Sequence, residues 1–142
     1  MKTIILYYSL GGTSRKKAEQ LVKENENAAL CEIKELRKRN IFTAFIPGCF
    51  HAAKRKTTAI KPLGYDLSDY DHVVIVCPIW ASFPAPAFNS IAALLPAGKE
   101  VELYFCSGNG GEQQSEQGTK DIMIEKGCIL IDYHNVKSST VI

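Results

Sequence analysis

The stretch Thr3-Ile-Ile-Leu-Tyr-Tyr-Ser-Leu-Gly-Gly-Thr-Ser14 decides the fold of this chain of 142 residues. Its first half, Thr3 to Tyr8, is β-branched and aromatic, which predicts a buried strand. Ser9 to Gly12 predicts a tight turn. Apolar residues then recur at helical spacing, which predicts a helix from Ser14 to Glu24. A strand that passes through a glycine turn into a helix is the usual opening of a parallel α/β sheet.

The remainder of the chain continues this alternation of strand and helix. We predict strands over residues 29–36, 73–77, 100–106 and 128–133, and helices over residues 86–95 and 113–126. Residues 40–64 look irregular, apart from a possible short helix at residues 50–56. The order predicts one domain, residues 1–142, with a five-stranded, doubly wound parallel sheet and helices on both faces. Ligands of such sheets bind outside the carboxyl ends of the strands.

The composition is typical of a globular protein without a membrane span. The chain is 46% apolar and 23% charged, and its apolar runs are short. We expect the N-terminal segment to be the first strand rather than a secretory signal. Its five cysteines form no C-x-x-C pair, so their spacing indicates neither a disulfide framework nor a zinc site. Unpaired thiols favour a reducing cytoplasm.

The net charge of +2 conceals an uneven distribution. Residues 1–71 carry 13 Lys and Arg against 8 Asp and Glu, and residues 72–142 carry 4 against 7. The basic residues cluster at positions 15–17, 37–39 and 54–56. These clusters are either solvated faces or a means of attracting an anionic ligand or partner. Without interleaved aromatic residues or a nucleic-acid motif, we do not expect DNA or RNA binding.

The loop after the first strand has the chemistry of a phosphate site. Glycines at this position let successive backbone N–H groups point into one concavity, and the helix start adds its positive dipole end. Three hydroxyl groups add further donors. The residues of this candidate loop are Ser9, Leu10, Gly11, Gly12, Thr13 and Ser14. The alternative is an ordinary Ser or Thr cap after a glycine turn.

Two later loops should meet the first at the same edge of the sheet. After the third strand, Trp80 and Phe83 lie in a proline-rich segment and offer planes for stacking a flat ring system. Trp80 could instead only cover the core. The candidate residues here are Pro78, Ile79, Trp80, Ala81 and Phe83, and those after the fourth strand are Ser107, Gly108, Asn109, Gly110 and Gly111. The glycines allow close backbone approach to a ring edge.

Together these loops resemble the flavodoxin family. The first resembles the family's phosphate loop, with Ile5 to Tyr7 before it and Ala18 and Leu21 after it. The second and third loops resemble the two flavin loops, and the likeness extends to about residue 135. The resemblance implies strand order 2-1-3-4-5 and flavin mononucleotide (FMN) as cofactor. It implies phosphate on Ser9 to Ser14 and the isoalloxazine between the Trp80 and Ser107 loops.

The chain also departs from the family's pattern. Ser14 stands where a threonine is usual, Thr13 where an asparagine is frequent, and Gly11 where a hydroxyl is frequent. Electron-carrier flavodoxins are usually acidic, whereas this chain is slightly basic. The resemblance therefore leaves two roles open: a reductase-like enzyme linked to NAD(P)H or a quinone, and an electron carrier that docks on a redox partner protein. The alternative from another class is a flavodoxin-like module that has lost FMN and serves in binding or assembly.

The family's terminal helix has no counterpart here. Residues 136–142 are too short and too β-branched to form it. We therefore expect several hundred Å² of apolar sheet near strands three to five to be buried in a homodimer, with the tail exchanged or paired as an extra strand. A tail that folds back is the alternative.

Few other residues suggest chemistry. His51 is expected to be an exposed loop residue, and His72 and His134 to be strand-edge residues. Nothing near Cys49 argues for a lowered thiol pKa. We identify no catalytic residue and no metal-binding spacing.

Overall fold

Five parallel strands form the sheet of the computed structural model, which describes residues 1–40 and 44–142. The strands are β1 (Thr3–Tyr7), β2 (Ala29–Glu32), β3 (His72–Trp80), β5 (Glu100–Ser107) and β6 (Ile129–Lys137). They lie in the order β2-β1-β3-β5-β6. A short strand, β4 (Phe83–Pro84), pairs antiparallel with the end of β3. With β4 set aside, this is the predicted order 2-1-3-4-5, and the flavodoxin-like fold class is confirmed.

Helices cover both faces of the sheet. They are α1 (Thr13–Glu24), α2 (Cys49–Ala53), α3 (Pro86–Leu94) and α4 (Glu116–Glu125). A π-helical turn, Ala44–Gly48, precedes α2, and short 3-10 turns form at Leu67–Asp69 and Ser138–Thr140. No helix among the described residues is long and apolar enough to cross a membrane.

The core has two layers because alternate strand residues point to opposite faces. On one face Ala18 and Leu21 of α1 pack against strand residues such as Val74. On the other face Phe88 of α3 packs edge-to-face on Phe105, with ring centroids 5.2 Å apart. β3 is central and buried on both sides, which explains its continuous apolar run.

Several element boundaries differ from the predicted ones because strands extend only as far as their neighbours allow. β2 was predicted to reach Leu36 but ends at Glu32, where its partner β1 ends. The chain beyond then pairs elsewhere, with an antiparallel bridge between Glu35 and Ile60. β3 runs on to Trp80 instead of ending at Cys77, because β5 and β4 offer it partners. β6 likewise extends from Tyr133 to Lys137 along β5.

The prediction of uncovered apolar sheet near strands three to five, on the face where α1 packs, is wrong because much of that surface is polar. The residues of β5 and β6 on this face include Glu102, Tyr104, Asp132 and His134, which are polar and linked to one another. The end of the chain also lies close to α1, where the Gln20 amide donates to the carbonyl oxygen of Ile142 at 3.2 Å. The expectation rested on the rule that strands of a doubly wound sheet are apolar on both faces, whereas polar residues alternate along β5 and β6 here.

Candidate functional site

The first loop is a tight glycine turn at the carboxyl end of β1. Gly12 is in the left-handed region with φ of +97°, and its N–H donates to Ser9 Oγ at 2.9 Å. The first intrahelical bond of α1 runs from the N–H of Lys16 to the carbonyl of Gly12. No side chain of the described residues caps the helix start. The N–H groups of the first helical turn therefore keep their capacity to bind an anion.

The hydroxyl groups of this loop differ in access. Ser9 and Thr13 are half-buried, whereas Ser14 is 2% exposed. The Ser14 side chain lies beside the Cys106 thiol: burial raises the pKa of that thiol, and the hydrogen bond with Ser14 opposes the rise. Ser14 thus joins α1 to β5, and Ser9, Thr13 and the backbone N–H groups are the more accessible donors.

The second loop is a tight hairpin rather than the proline-stiffened loop that was predicted. Ile79 and Trp80 at the end of β3 pair with Pro84 and Phe83 of β4. The two residues between the strands, Ala81 and Ser82, have φ of +48° and +75°. Positive φ at both positions is characteristic of hairpin turns and unfavourable without glycine. The hairpin therefore holds local strain at the carboxyl edge of the sheet.

A buried network holds this hairpin in place. Ser115, which is 3% exposed, donates from its hydroxyl to the carbonyl of Ser82. The Arg55 guanidinium donates to the carbonyl of Ser115 at 2.9 Å and to Thr119 Oγ1 at 3.0 Å. The same guanidinium lies 5.4 Å from the Phe83 ring centroid. Burial lowers the pKa of Arg55 from its ordinary value, but an arginine stays charged in proteins.

A second arginine lies against Trp80. The Arg39 guanidinium is 5.5 Å from the Trp80 ring centroid, and it binds both oxygens of the buried Glu35 carboxylate at 2.9 and 3.1 Å. Tyr8 donates its hydroxyl to Glu35 and meets the Trp80 ring edge-on, with centroids 5.8 Å apart. Burial, and then Glu35, raise the pKa of Tyr8 well above its usual range. Trp80 is half-buried and packs partly on the core.

Hydrogen bonds between residues close in sequence hold the third loop in its conformation. The N–H of Gly110 donates to Ser107 Oγ at 3.0 Å, and that of Gly111 donates to Asn109 Oδ1 at 2.9 Å. Ser138 anchors the loop from the other side by donating to the carbonyl of Ser107 at 3.0 Å. Gly108 and Asn109 are exposed, so the loop presents its backbone to solvent.

The three predicted loops follow β1, β3 and β5, which are adjacent in the sheet, so the fold brings them to one edge. Sequence reasoning missed the residues behind them: Tyr8, Glu35, Arg39, Arg55 and Ser115. The basic clusters at positions 37–39 and 54–56 were a signal for the two arginines. Cys49 and His51 lie in α2, where burial raises the pKa of the Cys49 thiol.

The structure is similar to solved flavoproteins. A flavoprotein from Lactobacillus acidophilus, crystallised in complex with FMN, matches with a TM-score of 0.75 and 23% identity over 93% of this chain and 91% of that chain. The apo form of the flavoprotein from the same organism, solved by NMR, matches with a TM-score of 0.70 and 21% identity over 97% and 95%. A Streptococcus pneumoniae flavodoxin matches with a TM-score of 0.59 and 9% identity over 96% and 85%.

These likenesses define a flavodoxin-like fold. No family model and no curated protein matches the sequence. At these identities the shared property is the architecture, and the chemistry of the site has to be argued from this chain's own residues.

Proposed function

We propose that this protein binds FMN and transfers electrons through the flavin. The observation that carries the proposal is the meeting of three loops at one sheet edge: an uncapped helix start after a glycine turn, a strained aromatic hairpin and a glycine-rich loop. The same architecture occurs in a flavoprotein crystallised with FMN. The alternative, a module that has lost FMN, predicts a colourless protein that takes up no flavin.

The first loop suits a phosphate monoester. In this proposal the phosphate is bound by the N–H groups at the start of α1, with the hydroxyls of Ser9 and Thr13 beside them. Ser14 contributes its backbone, while its buried hydroxyl keeps the helix against Cys106. Hydrogen bonds to a charged group are each worth roughly 1.5–3 kcal/mol, so this loop should dominate FMN retention.

The second and third loops suit the isoalloxazine ring. Bound flavin supplies the redox chemistry, since it accepts and donates both hydride and single electrons. The hairpin, with residues Pro78 to Phe83, would hold the ring and keep water from it, and the backbone of residues 107–111 would bind its polar edge. Ser115 and Arg55 keep the hairpin in position.

Positive charge near this site favours an enzyme over a low-potential carrier. Arg55, behind the hairpin, donates to two neutral oxygens, and in this proposal its positive charge favours the reduced, anionic form of a flavin bound at the hairpin. We therefore expect the FMN-loaded protein to reduce quinones or nitroaromatics with NAD(P)H alone. A protein that is yellow but turns over only with a partner protein would instead be a carrier.

Five free thiols, four of them buried, fit the cytoplasm as the compartment.

Trp80 should report directly on the ring. If it flanks the flavin, its fluorescence is quenched as FMN binds, and Trp80→Ala loosens binding and raises flavin mobility, measured by flavin fluorescence anisotropy. Trp80→Phe keeps an aromatic plane and is the matched control. Trp80 is the sole tryptophan, so its emission is unambiguous. An emission that stays constant through an FMN titration would assign Trp80 to the core alone.

We further propose that the protein forms a homodimer through its outer strand. The support is a pair of exposed isoleucines on β6: Ile129 is 58% and Ile131 51% exposed. Such residues on the outermost strand of a sheet favour association. Sedimentation at micromolar concentration should give a dimer, and Ile131→Lys should give a folded monomer. A parent protein that sediments as a monomer contradicts the proposal.

A further inference from the structure

Three potential metal ligands converge on the sheet face beside α1, away from the three loops, and a fourth, His72, lies next to one of them. His134 Nε2 lies 3.2 Å from Glu102 Oε1 and 3.3 Å from Asp132 Oδ2. One ligand atom of each of these three residues lies within 4.8 Å of the other two. His72 Nε2 approaches the second carboxylate oxygen of Glu102 at 3.2 Å. We refer to His72, Glu102, Asp132 and His134 as the strand-face cluster.

We propose that the strand-face cluster binds a divalent transition metal ion, with Zn²⁺ as the reference case. Zn²⁺ binds imidazole nitrogen and carboxylate oxygen at about 2.0–2.2 Å, so neighbouring ligand atoms of a tetrahedral site lie roughly 3.3–3.5 Å apart. The nitrogen-to-oxygen distances from His134 to Glu102 and Asp132 are close to this spacing. Imidazole nitrogen beside carboxylate oxygen suits zinc, copper, nickel or cobalt better than magnesium or calcium.

Neighbouring side chains already orient the ligands. Thr3 Oγ1 lies 3.2 Å from His72 Nδ1, so a hydrogen bond there leaves Nε2 to face the cluster. The Tyr104 hydroxyl donates to Glu102 Oε1 at 2.6 Å, and its ring stacks on His134 with centroids 4.1 Å apart. Partners of this kind fix the ring orientation of metal-bound histidines and support affinity.

The polar atoms of the strand-face cluster satisfy one another's hydrogen bonds only in part. His72 Nε2 is buried, and it forms no hydrogen bond with the described residues although Glu102 is close. His134 Nε2 lies at nearly equal distances from two carboxylates, and a single N–H cannot point at both. The carboxylates of Glu102 and Asp132 lie close together in the cluster, and a divalent ion bound between them would neutralise their charge.

An ion could reach the strand-face cluster from solvent, and once bound it would stabilise the fold. A groove of about 250 Å³, lined by residues that include His72, Glu102 and Tyr104, opens beside α1 and gives the ion a path. The ligands come from β3, β5 and β6, three neighbouring strands. An ion bound here would join those strands beside α1, and it should raise the temperature of unfolding.

The test is a zinc titration of the full chain after chelator treatment, in competition with a chromophoric chelator. We expect one Zn²⁺ per chain and a rise in melting temperature on saturation. His134→Ala and Glu102→Gln should each weaken binding by at least about tenfold and remove the rise, and Tyr104→Phe should weaken binding about tenfold. The controls are His51→Ala and Cys49→Ser, which lie outside the strand-face cluster and should bind as the parent does.

The titration also contains the outcomes that would overturn the proposal. Circular dichroism establishes that each variant is folded before its affinity is compared. Binding that persists in His134→Ala, or that is lost in Cys49→Ser or His51→Ala, places the ion elsewhere. The absence of competitive binding in the folded parent, or equal binding of Mg²⁺ and Zn²⁺, would overturn the assignment of a transition-metal site.

Discussion

Gly110→Ala is expected to disrupt the third loop and to cost the folded protein about 2–5 kcal/mol. A Cβ at this position would lie 2.5 Å from Lys137 Cβ and 2.8 Å from the Lys137 Cα and N atoms. These are the backbone and first side-chain carbon of β6, which cannot move aside as the tip of a flexible side chain can. Gly110 also has φ of +67°, which alanine tolerates poorly.

The measurements are the free energy of unfolding, from denaturant titration, and the affinity for FMN. Both should fall in Gly110→Ala, since the loop has to shift away from β6. Gly108→Ala, two residues earlier, is the matched control. A Cβ there meets nothing within 4 Å and the residue has no positive φ, so its stability should change by less than about 1 kcal/mol. Equal effects of the two substitutions would contradict the described packing.

Gly12→Ala is expected to remove most of the preference for FMN over riboflavin. Its φ of +97° aims the loop into the start of α1, and an alanine there costs roughly 1–3 kcal/mol or forces the turn to change. A changed turn re-aims the N–H groups that the proposal assigns to the phosphate. We therefore expect FMN affinity to fall at least about tenfold, while riboflavin affinity changes little, since the loss concerns the phosphate contacts.

Gly11→Ala is the matched control, because it adds a methyl group to the same loop without disturbing a residue of positive φ. Gly11 lies in the same loop, has no positive φ, and a Cβ would meet no atom within 4 Å. Its FMN-to-riboflavin preference should therefore stay close to that of the parent. A parallel loss of both flavins in Gly12→Ala would indicate general unfolding of the site, which circular dichroism detects independently.

The fold was predictable because its signals are local and repeated. The apolar run of Val73 to Cys77 indicates a central strand buried on both faces, and the glycine turn before α1 marks the first crossover. Prolines were less informative, because Pro78 was taken to end the strand. It continues the strand instead, since β1 ends opposite Val76 and needs no N–H from residue 78.

Three supporting residues of the site, Glu35, Arg39 and Arg55, could not be predicted because they come from the irregular segment after β2. Arg39 and Arg55 belong to basic clusters whose sequence suits a solvated face equally well. Only tertiary structure places Arg39 on Trp80 and Arg55 behind the hairpin. Positions 41–43 of that segment lie outside the described residues.

The strand-face cluster was missed for a similar reason. His72, Glu102 and His134 are widely separated along the chain, and the sequence indicated only that the two histidines lie at strand edges. Their shared face follows from register, since β3 pairs His72 with Glu100 and β6 pairs His134 with Tyr104. A search for close metal-ligand spacing cannot find a site whose ligands are brought together by three strands.

The most direct test of the central claim is a titration of the flavin-free protein with FMN and, separately, with riboflavin. Binding is followed through Trp80 emission and flavin absorbance. We expect one FMN per chain, with quenching of Trp80, and riboflavin affinity lower by at least about 100-fold, the loss expected from several charge-assisted hydrogen bonds. Equal affinities for the two flavins, or no saturable binding of either, would contradict the account.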